Sequence, residues 1–149
     1  MQTFVSKLRE VTAVYKTVND LNNIKISCSK DVADFVRRIY PVDINIREAM
    51  VVLYLNNSNR TIGYSINSIG GITGTLVDVR LILRDALLTQ ATGLILIHNH
   101  PSGSLQPSTP DLTITTKVKE SAKIMDVNLI DHLILTEESH YSFADEGKL

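Results

Sequence analysis

Short apolar stretches along the chain alternate with amphipathic ones, which divides the sequence into predicted strands and helices. Residues 49–55 and 93–97 are apolar on both faces, which is typical of central strands buried in a sheet. Residues 61–68 follow a polar turn at 56–59, so we predict that they pair with the first of these strands as a hairpin. Further strands are predicted over 9–18, 127–135 and 140–143.

Three amphipathic helices are predicted between these strands. The first covers 29–40 and ends at Pro41, because proline cannot continue a helix. The second begins after Asp78 and carries an apolar stripe through 79, 82, 83, 86 and 87. The third extends from Ser108 to about Met125. Because strands and helices alternate, we predict an α/β fold with a mixed β-sheet flanked by helices.

The length and composition exclude several classes of protein. The chain has 149 residues, the size of one ordinary domain, and a formal net charge of −1. That charge is not the basic footprint of a strong nucleic-acid binder. The one cysteine, Cys28, excludes an intrachain disulfide, and we expect it to be inert packing. We find neither a signal peptide nor an apolar stretch of about 20 residues, so we expect a cytoplasmic protein without membrane contact.

Two histidines follow the buried strand 93–97. Side chains alternate along a strand, so His98 and His100 point to the same side of its carboxyl end. Ligand sites of α/β proteins lie beyond such strand ends. The alternative is that both imidazoles are ordinary half-buried side chains.

Asp111 supplies a third candidate ligand. With Ser108 it forms the pattern of a capping box at the start of the third helix. It also precedes an apolar stripe that runs from Ile114 to Met125, so its carboxylate is predicted to point inward. An inward carboxylate is costly unless it is paired or binds a metal. Two imidazoles and one carboxylate suit Zn²⁺ with an open fourth position.

A hydrolytic zinc site also needs a general base that does not bind the metal. The chain has 16 acidic residues, and spacing alone cannot choose among them. Glu48 is an attractive candidate because it lies at the edge of strand 49–55, beside which the histidine-bearing strand could pair. The alternative is a solvated charge in front of a strand.

One motif joins these candidates to a known family. His98-Asn-His-Pro-Ser-Gly, followed by Pro107-Ser-x-x-Asp111, resembles the signature of the JAMM zinc proteases. Its form His-Asn-His-Pro-Ser-Gly is similar to the RadC family within the JAB/MPN+ group. Other segments that agree with this family are 47–56, 77–80, 131–135 and 141–147. The resemblance implies the three-layer JAB/MPN architecture for residues 44–149, with 1–43 as an N-terminal extension, a strand and a helix, packed on that core.

The resemblance also implies a role for each candidate residue. His98, His100 and Asp111 are expected to bind one zinc ion per chain. Glu48 is expected to act as general acid and base, and Ser108 to hydrogen-bond the developing oxyanion. The implied activity is hydrolysis of peptide or isopeptide bonds, so the expected partner is a peptide or protein substrate.

Two other functions stay open at this point. One is a non-catalytic interaction module that keeps the metal for structure. The other is a metal-dependent nuclease, since the family name is associated with DNA repair. Residues 1–43 are too short for the helix-hairpin-helix DNA-binding module of longer RadC proteins, so we expect only weak binding of nucleic acid. Phosphodiester enzymes often use two metals, whereas this motif suits one. The substrate and the oligomeric state are not indicated.

His132 and Ser102 lie outside this motif assignment. His132 alternates with Ile130 and Ile134 on strand 127–135, which favours a buried core histidine over a contact with a metal ligand. Ser102 lies in the loop after His100 and is a further candidate for a substrate contact.

Overall fold

One mixed sheet of five strands organises the chain in a computed structural model, which describes residues 10–12, 14, 16, 21–70 and 76–149. The strands in chain order are β1 (Ala49–Leu55), β2 (Thr61–Ile69), β3 (Gly93–Asn99), β4 (Asn128–Leu135) and β5 (His140–Ser142). The helices in chain order are α1 (Ser29–Arg37), α2 (Val79–Leu88) and α3 (Thr109–Ile124).

The order of the strands in the sheet is β2-β1-β3-β4-β5. β1 pairs antiparallel with both β2 and β3, and β4 pairs antiparallel with β5. β3 and β4 are parallel, with α3 as the crossover between them. The α/β class with a mixed sheet, predicted from the sequence, is confirmed.

Helices cover both faces of the sheet and give three layers. β1 and β3 are buried along their whole length, so alternate residues of each strand feed two separate cores. On one face Val52 and Leu96 pack with residues of α2 and α3. On the other face Val51 and Ile97 pack with residues of α1. α1 therefore lies against the sheet, although it belongs to the segment before residue 44.

Polar side chains fix where the helices begin. The Asp78 carboxylate accepts from the backbone N–H of Arg80 at the start of α2. At the start of α1 the Asp31 carboxylate accepts from the backbone N–H groups of Ser27 and Cys28. Cys28 is exposed at this helix start, so the prediction that it is packing is wrong.

Several predicted boundaries shift in the structure. α1 ends at Arg37 and not at residue 40, and β3 continues two residues further, to Asn99. The apolar stripes predict burial of Leu87 and Met125, but both are exposed, Leu87 in the last turn of α2 and Met125 at the C-cap of α3.

Two predictions fall wholly or partly outside the described residues. In the predicted strand 9–18, residues 10–12, 14 and 16 are described, and they lie in no strand. The sequence Gly-Gly-Ile-Thr-Gly-Thr also predicts a loop over residues 70–75, of which the structure describes only Gly70. None of the helices within the described ranges is long and apolar enough to span a membrane.

Candidate metal centre

The register of β3 brings the two predicted histidine ligands to the face of the sheet that α3 covers. His98 is the second-last residue of β3 and lies opposite Met50 of β1. His100 follows two residues later and keeps the pairing with β4, because its backbone N–H donates to the carbonyl of Leu135. Both imidazoles are nearly buried, with side-chain exposures of 8% for His98 and 12% for His100.

Asp111 of α3 completes a compact cluster with these histidines. The Nε2 atoms of His98 and His100 are 2.9 Å apart. Asp111 Oδ1 lies 3.0 Å from His98 Nε2, and Asp111 Oδ2 lies 3.3 Å from His100 Nε2. Within the part of the chain that the structure describes, these residues form the one group of three or more His, Cys, Asp or Glu side chains suited to a metal ion.

The start of α3 holds the Asp111 side chain in place. Ser108 caps this helix: its Oγ accepts from the backbone N–H of Asp111 at 3.3 Å, and Asp111 Oδ2 accepts from the backbone N–H of Ser108 at 2.7 Å. The predicted capping box is therefore present. The same carboxylate faces the histidines, so one side chain both caps the helix and enters the cluster.

The electrostatics of the cluster keep this carboxylate ionised. Burial by itself would raise the pKa of Asp111, but hydrogen bonds with His100 and His98 outweigh it and hold that pKa well below its usual range. Correspondingly, the hydrogen bond with Asp111 raises the pKa of His100, against the opposing effect of partial burial. A negative group and two imidazoles thus share one pocket that excludes most water.

The donor atoms fit a metal ion of the size of zinc. His100 Nδ1 lies 2.8 Å from the backbone carbonyl of Ser104, which can only accept, so this nitrogen carries the proton. In the neutral ring the lone pair is then on Nε2, toward the cluster. Tetrahedral ligands about 2.0–2.1 Å from zinc lie about 3.3 Å from one another, close to the spacing found here.

Glu48 lines the cavity that opens beside this cluster. The residue directly precedes β1, and the alternation of side chains turns it to the same face as Met50 and His98. The cavity has a volume of about 190 Å³. Its lining residues are Glu48, Met50, Leu76, Val77, His98, Pro110, Asp111 and Ile114. A larger cavity of about 730 Å³, lined in part by β2 and α2, contains none of the predicted site residues.

Asn99 is a site residue that the sequence reasoning did not identify. It points to the face opposite the histidines and is fully buried. Its Nδ2 donates to the carbonyls of Ile44 and Arg47, at 2.8 and 2.7 Å. Its Oδ1 accepts from the backbone N–H of Ala49 and from the Tyr40 hydroxyl, at 2.9 and 2.7 Å. Asn99 therefore fixes the backbone on both sides of Glu48.

Two further neighbours of the cluster are His132, for which the sequence favours a core position over a contact with a ligand, and Thr115, which the sequence analysis did not identify. His132 is fully buried, as predicted, but its Nε2 lies 2.8 Å from His98 Nδ1. Its Nδ1 lies 2.6 Å from the Thr115 hydroxyl. Burial holds the pKa of His132 well below its ordinary value, so the ring is neutral. The sequence contained one indication of this contact. The predicted strands that carry His98 and His132 are joined by a helix, and strands joined in this way are usually neighbours in the sheet.

Ser102, in the loop after His100, is exposed, and its hydroxyl accepts from the backbone N–H of Ser104 at 3.3 Å.

The fold and the cluster together define a three-layer α/β domain with a candidate metal site at the end of its central strand, as in JAB domains. The chain belongs to the RadC-like JAB domain family, which it matches over residues 26–148. The match begins before α1, within the segment that we predicted as an extension. By name, this family is associated with DNA repair.

Proteins of several organisms are similar to this chain. The chain is similar to a UPF0758 protein of Flavobacterium johnsoniae, at 50% identity over 83% of this chain and 53% of that protein. A UPF0758 protein of Streptococcus gordonii is 43% identical over 69% of this chain and 46% of that protein. A UPF0758 protein of Chlorobaculum parvum is 31% identical over 97% of this chain and 66% of that protein. The chain thus spans about half to two thirds of the length of these relatives.

Asp111 both caps α3 and faces the two histidines, which leads to a prediction about metal binding. We expect Asp111→Ala to weaken zinc binding by about 100-fold or more, because a ligand is lost and not only a supporting contact. The helix should still form, since the Ser108 hydroxyl can cap it. Isothermal titration with zinc and circular dichroism measure the two effects.

Glu120→Ala is the matched control, because it removes an exposed carboxylate from the same helix. If Asp111→Ala binds zinc like this control and loses only thermal stability, capping explains Asp111 and it is not a ligand.

The buried contacts of Asn99 lead to a second prediction. We expect Asn99→Ala to lower the free energy of unfolding by about 2–4 kcal/mol, because it leaves buried backbone groups unpaired. Hydrogen exchange of the Ala49 amide should accelerate as well. The exposed Asn128→Ala should change stability by no more than about 0.5 kcal/mol. Equal urea midpoints and equal Ala49 protection in the two variants would refute the role of Asn99.

Proposed function

We propose that this domain is a zinc-dependent hydrolase of peptide or isopeptide bonds, of the JAMM type. The observation that carries the proposal is the convergence of His98 Nε2, His100 Nε2 and the Asp111 carboxylate beside a cavity that His98, Asp111 and Glu48 line. Membership of a JAB family agrees with it, because the JAB superfamily includes metalloproteases.

Three side chains would hold the metal in this proposal. His98 and His100 offer ring nitrogens from the end of β3, and Asp111 offers an ionised carboxylate from the start of α3. Three protein ligands leave a fourth position open for chemistry. When bound, zinc supplies a Lewis acid that lowers the pKa of water and polarises a carbonyl group.

Glu48 acts as the general base and then as the general acid. Its carboxylate takes a proton from the attacking water and returns that proton to the leaving amine. The position of Glu48 suits this role, since it lines the cavity without belonging to the three-residue cluster. A carboxylate bound directly to the metal would be a poorer proton acceptor.

Ser108 stabilises the negative charge on the substrate oxygen. Its exposed hydroxyl donates to Asp111 Oδ2 at 2.6 Å in the structure. Rotation of the hydroxyl about the Cβ–Oγ bond would free this O–H for the substrate while Oγ still caps α3, and the backbone N–H of Ser108 would continue to hold Asp111. One preorganised donor of this kind typically contributes about 10²–10³-fold to the rate.

We infer that the cavity receives part of a peptide substrate. Its volume of about 190 Å³ suits one side chain, and Met50, Val77 and Ile114 give it an apolar wall. The net charge of −1 offers little to neutralise phosphates, so a nucleic-acid substrate is disfavoured.

The proposal predicts that zinc binding and hydrolysis can be separated at Glu48. We expect Glu48→Gln to keep the fold and one zinc per chain but to lose about 10²-fold or more of the hydrolysis rate. A proteome-derived peptide library, incubated with the zinc-loaded protein and read by mass spectrometry, reports new cleavage sites. Treatment with a chelator should abolish them.

Glu138→Gln serves as the control, because Glu138 is exposed and belongs neither to the three-residue cluster nor to the cavity lining. Cleavage that persists at equal rates in Glu48→Gln would exclude Glu48 as the base. Zinc binding without any cleavage by the unchanged protein would favour the interaction module instead.

A further inference from the structure

A continuous line of hydrogen bonds lies behind the metal ligand His98 and leads back to the third ligand. It passes from His98 Nδ1 to His132 Nε2, and from His132 Nδ1 to the Thr115 hydroxyl. Thr115 in turn donates to the backbone carbonyl of Asp111 at 2.6 Å. His98, His132 and Thr115 are buried, so solvent does not compete for their protons.

The carbonyl at the end of this line sets the direction of every bond in it. A carbonyl can only accept, so the single proton of the Thr115 hydroxyl is used on Asp111. Thr115 must then accept from His132, which places the His132 proton on Nδ1. In a neutral imidazole the other nitrogen is an acceptor. His132 Nε2 therefore accepts a proton from His98 Nδ1.

In a neutral His98 ring this direction leaves the lone pair on Nε2, the nitrogen that faces His100 and Asp111. A histidine that binds a metal needs a deprotonated ligand nitrogen, and the hydrogen bond of the other nitrogen selects it.

We propose that Thr115 and His132 are positioning residues that hold the His98 ring in the tautomer and orientation required to bind the metal. The inference rests on the metal site of the proposed function but not on hydrolysis. His132 touches a ligand and not the metal, so it acts through His98.

Packing fixes the plane of the His132 ring. The ring stacks on Phe143 with their centroids 4.7 Å apart and an angle of 14° between the planes. Phe143 is itself fully buried. A ring held on one face and bonded at both nitrogens cannot turn, so it presents the same nitrogen to His98 at all times.

The line also ties the two ligand-bearing elements together. Thr115 lies one helical turn after Asp111, so both project from the same side of α3. His132 lies on β4, next to β3 in the sheet. The contacts behind the site therefore set the distance of α3 from β3, which is the distance that separates Asp111 from His98.

Substitutions at Thr115 test this proposal with small changes in shape. Thr115→Val keeps the volume but removes the hydroxyl, which frees His132 to protonate Nε2 and to place the wrong tautomer on His98. We expect its zinc dissociation constant to rise by about 10- to 100-fold, the usual effect of losing such a contact. Thr115→Ser should restore the affinity of the unchanged protein. Competition with a chromophoric chelator measures these values in the full chain.

Thr116→Val is the matched control, since the Thr116 hydroxyl makes the same type of bond, to the carbonyl of Leu112, but on the exposed side of α3. Its zinc affinity should equal that of the unchanged protein. His132→Phe is the second variant, which retains a flat ring against Phe143 and removes the acceptor. It should weaken zinc binding like Thr115→Val.

Nuclear magnetic resonance of the zinc-loaded protein gives a readout that packing alone would not change. We expect ring protons on His98 Nδ1 and His132 Nδ1, with a through-bond coupling between His98 Nδ1 and His132 Nε2. A proton on His132 Nε2, or unaltered zinc affinity in Thr115→Val, would overturn the inference while leaving the proposed function intact. Absence of zinc binding by the unchanged protein would overturn both. Zinc binding with these signals but no hydrolysis would overturn the proposed activity alone.

Discussion

The alignment of β3 between β1 and β4 is the constraint on which the candidate site depends. In this register His98 lies opposite Met50 on one side and beside Ile134 on the other. A slip of one residue would turn both histidines to the α1 face and take them away from Asp111. The register is held by burial, because Leu96 packs against the α3 side and Ile97 against the α1 side. The hydrophobic core therefore determines where the polar cluster forms.

The start of α3 supplies the carboxylate of the cluster, and the capping contacts of this helix hold that carboxylate in place. Asp111 is fixed by its capping contacts with Ser108, and the positive end of the helix dipole favours its ionised form. An ionised carboxylate that faces two imidazole nitrogens at 3.0 and 3.3 Å is an electron-rich group of atoms. Such a group is costly to assemble away from water unless protons or a cation join it. The capping contacts offset part of that cost before any ion binds.

Local patterns were enough to predict the elements of the core and the members of the cluster, but not the contacts that support them. The apolar stretch at 49–55 and the hairpin after it were found because their signals lie within a few residues. Asp111 was found from its spacing to Ile114. The contact of His132 with His98 depends on the pairing of β4 with β3 across 34 residues, which no local pattern reports. Burial near the helix ends was predicted less well, since Leu87 and Met125 fit the helical period but are exposed.

The side chains of the tripeptide His98-Asn-His100 project to both faces of the sheet. This arrangement links the two histidines to the backbone around Glu48. The histidines point toward α3, whereas Asn99 points to the α1 side and binds the backbone on each side of Glu48. Asn99 and Ala49 are 50 residues apart in the chain, yet a direct bond of 2.9 Å joins them. A movement of β3 would therefore carry the two histidines and the Glu48 backbone together. The position of the two histidines relative to the Glu48 backbone is thus set largely by one short strand.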